Sequence, residues 1–88
     1  MHEAGIADRI LEIVIARASE AGAPRISAIH LEAGVLAAVS EDSLRFHWEQ
    51  HAAGTPAEGA VLHFTEVDEP TDLRLVSIDV EDGVKSDP

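Results

Sequence analysis

The chain has 88 residues, with 17 acidic residues against 6 lysines and arginines, and a formal net charge of −11. So short a chain forms one domain at most, and its acidity argues against partners that are bound by cations, namely nucleic acid and anionic membranes. It has no cysteine, which excludes disulfides, cysteine-ligated zinc and thiol nucleophiles. No apolar run is long enough to span a membrane, and no signal-peptide pattern opens the chain, so we expect a cytoplasmic protein.

The first half of the chain predicts a helix, a strand and a second helix. Residues 4–21 have apolar side chains at helical spacing, and Gly22 is placed as the C-terminal cap. Residues 25–33 alternate between apolar and polar side chains, as a half-buried strand does. Ser40 is the predicted N-cap of a second helix that continues to about residue 53. The apolar residues at helical spacing in the first helix are Ile6, Ile10, Ile13, Val14 and Ala18.

The second half predicts two strands, over residues 60–67 and 73–81. The connection from Asp68 to Asp72 contains a proline and several turn-prone residues, which predicts a short hairpin. Within the last strand, Leu75 and Ile78 are out of phase with strict alternation. Either a β-bulge or burial on both faces of the strand would reconcile them.

These elements predict an α+β fold, in which two helices pack on one face of a three-stranded mixed sheet. The element order is helix, strand, helix, strand, strand. We expect a single domain over residues 1–82, followed by a flexible polar tail over residues 83–88. No nucleophile–base set, glycine-rich phosphate loop or paired carboxylate dyad is found, so the chain is not expected to be an enzyme.

The N-terminus carries the most informative chemistry. Met1, His2 and Glu3 offer an amine, an imidazole and two backbone nitrogens within three residues. The amine and the two backbone nitrogens can close five-membered chelate rings around one ion, and the imidazole of His2 can add a further nitrogen. A nitrogen-rich, nearly planar set suits Ni(II) or Cu(II), whereas Ca(II) prefers oxygen. His2 and Glu3 are therefore the predicted metal-binding residues. Taken alone, the same three residues also fit a solvated terminus with no ligand.

Short motifs placed in order along nearly the whole chain extend this observation. They are Met1-His2-Glu3, Leu11-Glu12-Ile13-Val14, Gly22-Ala23, Ser43-Leu44-Arg45-Phe46, Ala53-Gly54-Thr55 and Ala57-Glu58-Gly59-Ala60, with further likeness in the last strand, Leu73 to Glu81. Together they resemble the HypA/HybF family of nickel metallochaperones for nickel–iron hydrogenase maturation. No single motif is decisive, and the collinear set carries the resemblance.

The resemblance implies that His2 and nearby backbone nitrogens, including that of Glu3, hold Ni(II). It implies delivery of nickel to the hydrogenase large subunit, in cooperation with a HypB-like GTPase. No nucleic-acid or membrane partner is expected, and a weak homodimer is left open. The alternative is a HypA-like protein-interaction module that has lost nickel delivery.

The chain departs from the family's pattern at two places. Family members carry a zinc ribbon with two Cys-x-x-Cys pairs between the second and third strands, where this chain has only Asp68 to Asp72; no structural zinc is therefore expected. Many members have an acidic residue just before the second helix, where this chain has Ser40. A hydroxyl is a poorer nickel donor than a carboxylate, so weaker nickel binding is expected, and Glu41 could substitute only from a different direction.

Two further histidines, His47 and His51, lie four residues apart on the predicted second helix and so share one face. Such a pair can chelate Zn(II), Ni(II) or Cu(II), or can simply flank the apolar stripe of the helix. Both interpretations stay open. His30 and His63 are predicted to be ordinary surface residues of strands.

Overall fold

The computed structural model describes residues 3–81, which form two helices and three strands in the predicted order. The predicted tail, residues 83–88, lies outside the described residues. Within residues 3–81, no helix is long and apolar enough to cross a membrane. The elements are α1 (Glu3–Glu20), β1 (Arg25–Ala33), α2 (Glu41–Ala52), β2 (Val61–Glu66) and β3 (Leu73–Glu81).

Helix α1 buries one stripe of side chains and ends where predicted. The backbone amide of Ala23 donates to the carbonyl of Ala18 at 2.9 Å, and Gly22 has a φ of 69°, the left-handed conformation that glycine adopts at a helix end. The buried stripe recurs every three or four residues and comprises Ala7, Ile10, Leu11, Val14 and Ala18.

Two of the residues at helical spacing, Ile6 and Ile13, lie at the margin of the core. Both side chains are only half-buried and line an open groove between α1 and β3. The physical reason is that the helix packs on a stripe centred on Ala7 and Val14, both fully buried. The small side chain of Ala7 lets the helix approach its neighbours closely and leaves the two isoleucines at the margin.

The sheet has the strand order β2-β1-β3, so the first strand is central. Strand β1 pairs in parallel with β2 and antiparallel with β3. The predicted hairpin between β2 and β3 is therefore wrong, because these strands lie on opposite sides of β1. Strand β1 carries Ile26, Ile29 and Leu31, each at most 2% exposed. Burial of this apolar strand at the centre leaves the more polar strands at the edges.

The connection between β2 and β3 crosses over the end of β1 at very close range. The amides of Gly34 and Val35 donate to the carbonyls of Asp72 and Glu69, at 3.3 and 2.9 Å. A Cβ atom at Gly34 would lie 2.8 Å from the carbonyl oxygen of Glu69 and closer still to the backbone of Thr71. Only glycine allows the backbone segments to approach in this way.

A bulge in β3 explains the irregular period of its sequence. His30 lies opposite Ser77 and Leu31 lies opposite Leu75, so that Val76 has no opposite residue on β1. One extra residue shifts the phase of a strand, which places the later apolar residue of β3 on the same face as Leu75. The structure therefore confirms the bulge and not burial on both faces, since most of β3 is exposed.

Helix α2 buries one face, which comprises Leu44, Trp48 and Ala52. Arg45 ties this helix to β2, since its Nη1 donates to the carbonyl of Leu62 at 2.6 Å and its guanidinium lies 5.0 Å from the centre of the Phe64 ring. Both helices therefore cover one face of the sheet, and the opposite face stays open.

Candidate metal centre

One of the two predicted nickel-binding residues, Glu3, lies at the start of α1. His2 lies outside the described residues, whereas Glu3 is the first residue of the helix. The Ser40 amide donates to Glu3 Oε2 at 3.0 Å. Ser40 precedes α2, and the first amides of a helix have no acceptor within it and favour negative charge nearby. The contact therefore brings the beginnings of both helices together and anchors the residue that follows His2.

The residues before and at the start of α2 are engaged in stabilising that helix. Ser40 has extended backbone angles, and its hydroxyl accepts a hydrogen bond from the Ser43 amide at 3.3 Å, which confirms the predicted N-cap. Glu41 accepts from Nη2 of Arg45 at 2.9 Å. A nickel ion near Glu3 would have to compete with Arg45 for the Glu41 carboxylate, so position 41 is a poor substitute for an acidic residue at position 40.

The two histidines of α2 lie on one side of the helix, as predicted. The ring centres of His47 and His51 are 6.4 Å apart, with an angle of 81° between their planes. Asp8, on α1, places Oδ1 3.6 Å from Nδ1 of His51. The neighbouring ring of Phe46 contacts His47 edge-on, with 5.4 Å between ring centres. The structure thus adds to the predicted pair a carboxylate from another helix.

A second histidine pair lies on the open face of the sheet. His30 and His63 are opposite each other on the parallel strands β1 and β2, and their rings stack with centres 5.0 Å apart and planes 10° apart. Nε2 of His30 also lies 3.0 Å from Oδ2 of Asp79 on β3. From the sequence, both histidines are predicted to be ordinary surface residues of strands. Their pairing was not predicted, because it depends on the register between β1 and β2.

Across residues 3–81, no group of three or more histidine, aspartate or glutamate side chains is arranged to hold a metal ion. The part of the predicted centre that the structure describes is Glu3, with Ser40 beside it. The segment where the family is expected to carry a zinc ribbon is the short crossover between Glu66 and Leu73, and the whole chain has no cysteine.

The fold is a small α+β domain that has a solved counterpart. The solution structure of the Ni metallochaperone HypA from Helicobacter pylori superposes with a TM-score of 0.81, over 93% of this chain and 99% of that one, at 13% identity. At that identity the likeness concerns the fold alone.

Sequence comparison establishes the family. A family model described as hydrogenase/urease nickel incorporation, metallochaperone, hypA matches residues 1–72, and the chain belongs to this HypA family. The hydrogenase maturation factor HypA of Chloroflexus aurantiacus is 51% identical over 67 residues, which are 76% of this chain and 59% of that protein. That of Thermococcus kodakarensis is 44% identical over 66 residues, 75% of this chain and 48% of that protein. The chain thus spans about half to three fifths of the length of these relatives.

Proposed function

We propose that this chain is a non-catalytic nickel carrier of the cytoplasm that binds Ni(II) at its N-terminus and delivers it to the large subunit of nickel–iron hydrogenase, in cooperation with a HypB-like GTPase. The ligands are the imidazole of His2 and backbone nitrogens, including that of Glu3. The observation that carries the proposal is the hydrogen bond at 3.0 Å from the Ser40 amide to the Glu3 carboxylate, which fixes the residue whose backbone nitrogen belongs to the proposed donor set.

The chemistry of the donors supports nickel as the cargo. Nitrogen donors in a nearly planar arrangement suit Ni(II), whose geometries include square-planar. The amine, the imidazole and the backbone nitrogens must lose protons to bind the ion, so nickel affinity is expected to fall as the pH is lowered. In this arrangement the carboxylate of Glu3 acts outside the ligand set, by fixing the position of its own backbone.

The surroundings of position 40 support a site that is open on one side. The Ser40 hydroxyl accepts from the Ser43 amide, and the Glu41 carboxylate is paired with Arg45. Neither side chain adds a charged oxygen ligand without giving up a contact that stabilises α2. A site with few ligands binds its ion less tightly and leaves room for a ligand of the recipient protein to approach, which favours transfer.

The second candidate is a HypA-like interaction module that has lost nickel delivery. The use of the Ser40 hydroxyl as a helix cap favours this candidate, because it leaves the terminal donors without the acidic neighbour expected in the family. The two candidates differ in one measurable quantity, the affinity of the terminal donor set for Ni(II).

The test is a calorimetric titration of Ni(II) into protein that begins at Met1 with a free amine. Two variants, His2→Ala and an extension by one N-terminal residue, are expected to lose binding of the one Ni(II) at the N-terminus. The matched control, His63→Ala, removes one imidazole from the open sheet face and is expected to keep that ion. Ser40→Asp should bind nickel more tightly than the parent, because it adds a carboxylate and keeps a good N-cap.

Two outcomes contradict the carrier proposal. If the terminal variants bind nickel as the parent does, the ion is held elsewhere; if no form binds, the interaction module is the better account. Delivery is measured separately, as the nickel content of hydrogenase large subunit matured with the parent chain or with His2→Ala. Equal nickel content in both would argue against transfer from the N-terminus.

A further inference from the structure

Helices α1 and α2 together present a second set of metal-binding side chains, apart from the N-terminal donors. His47 and His51 lie one turn apart on α2, with ring centres separated by 6.4 Å. Asp8 of α1 lies beside His51, with 3.6 Å between Oδ1 and Nδ1. The His51 side chain is 32% exposed and that of Asp8 is 60% exposed, so an ion from solvent can reach the pair.

The relative orientation of the rings decides which histidine pair can chelate. A metal bound to an imidazole nitrogen lies near the plane of that ring. The planes of His47 and His51 meet at 81° and therefore intersect, so one ion can lie in both. The rings of His30 and His63 are stacked, with planes only 10° apart, and no single ion lies in two separated parallel planes.

We propose that His47 and His51 form a two-imidazole site for a divalent transition metal of the nickel, copper and zinc class. One ion with metal–nitrogen bonds of about 2.0–2.1 Å can bind both rings, whose centres are 6.4 Å apart, when the side chains rotate slightly toward each other. Water completes the coordination. The proposed site has two protein ligands, and no third histidine or carboxylate completes such a group across residues 3–81.

Asp8 acts as a positioning residue for His51. A carboxylate beside Nδ1 favours the tautomer with the proton on that nitrogen, which leaves the lone pair of Nε2 for the metal. Carboxylate–histidine–metal arrangements of this kind orient the ring and raise its basicity, and loss of the outer partner typically lowers metal affinity by about 10–100-fold. In the stacked pair, by contrast, the carboxylate of Asp79 contacts Nε2 of His30 directly, with 3.0 Å between that nitrogen and Oδ2.

This site does not depend on the proposed nickel delivery, so it is tested with the N-terminal donors removed. The background is the full chain carrying His2→Ala and one extra N-terminal residue. Ni(II) and Zn(II) are titrated separately by calorimetry into this background and into three variants of it, H47A/H51A, H30A/H63A and D8N. The double variants each remove two imidazoles, and the sheet pair is the matched control.

We expect the background and H30A/H63A to bind one ion, H47A/H51A to bind none, and D8N to bind about 10–100-fold more weakly. Unchanged stoichiometry in H47A/H51A, or a loss confined to H30A/H63A, would overturn the proposal. Far-UV circular dichroism checks that each variant is folded. Should H47A/H51A fail to fold, NMR of the background decides: Zn(II) must shift the ring resonances of His47 and His51 and leave those of His30 and His63 unchanged.

Discussion

Replacement of Gly34 by alanine tests the close crossover at the end of β1. The added Cβ would lie 2.8 Å from the Glu69 carbonyl oxygen and nearer still to the Thr71 backbone, so the backbone itself must move. The movement strains the hydrogen bonds by which residues 34–36 hold the crossover, at 2.9–3.3 Å. Each such bond contributes about 0.5–1.5 kcal/mol, so a loss of about 2–3 kcal/mol is expected.

That loss is a large share of the stability of a chain of this length, which is about 4–13 kcal/mol. The midpoint of thermal unfolding should fall by about 10–20 °C, measured by circular dichroism. Gly5→Ala is the matched control: Gly5 lies exposed in α1 with nothing within 4 Å of an added Cβ, so it should gain about 0.5–1 kcal/mol. Adding Thr71→Ala to Gly34→Ala should give little rescue, because the backbone collision stays.

The reasoning would be refuted by a Gly34→Ala protein as stable as the parent, or by full rescue with Thr71→Ala. The first result would mean that the two backbone segments do not approach as closely as described. The second would mean that the Thr71 hydroxyl alone causes the collision.

Two further substitutions test how α2 is held. Arg45→Ala removes the hydrogen bond to the Leu62 carbonyl at 2.6 Å and the contact with Phe64. It should lower the free energy of unfolding, measured in urea, by about 1–2 kcal/mol. A loss no larger than that of Arg17→Ala, at an exposed arginine of α1, would contradict the role of Arg45 in holding α2 against β2. Leu44→Ala leaves a cavity at a fully buried position and should lower the free energy of unfolding by about 2–5 kcal/mol. Val61→Ala, at a half-exposed position, should lower it by less than about 1 kcal/mol. Similar values for both variants would contradict the assigned core.

Local sequence signals were sufficient for the elements and their ends. The helical spacing of apolar residues, Gly22 after α1 and Ser40 before α2 predicted both helices to within a residue or two of their observed bounds. These signals work because a helix cap or a strand's alternation is decided by residues a few positions apart. The break in period before Ile78 was also visible, but it fitted a bulge or burial on both faces, and only the strand register decided for the bulge.

The sequence by itself also determined the family, since short motifs placed in order along the chain carry the resemblance, and it predicts an N-terminal donor set from three adjacent residues. Its interpretation of Asp68–Asp72 as a hairpin failed, because a turn-prone connection is compatible with either a hairpin or a crossover. The tertiary structure decided between them by placing apolar β1 at the centre of the sheet.

Only the tertiary structure brought together residues that are far apart in the chain. The contact between Glu3 and Ser40, the stacking of His30 on His63 and the approach of Asp8 to His51 all depend on which faces pack and in what register. Those choices follow from burying the largest apolar area across the whole domain, a sum over distant residues that local periodicity does not contain. The histidines were therefore predictable as residues of their elements, but their partners were not.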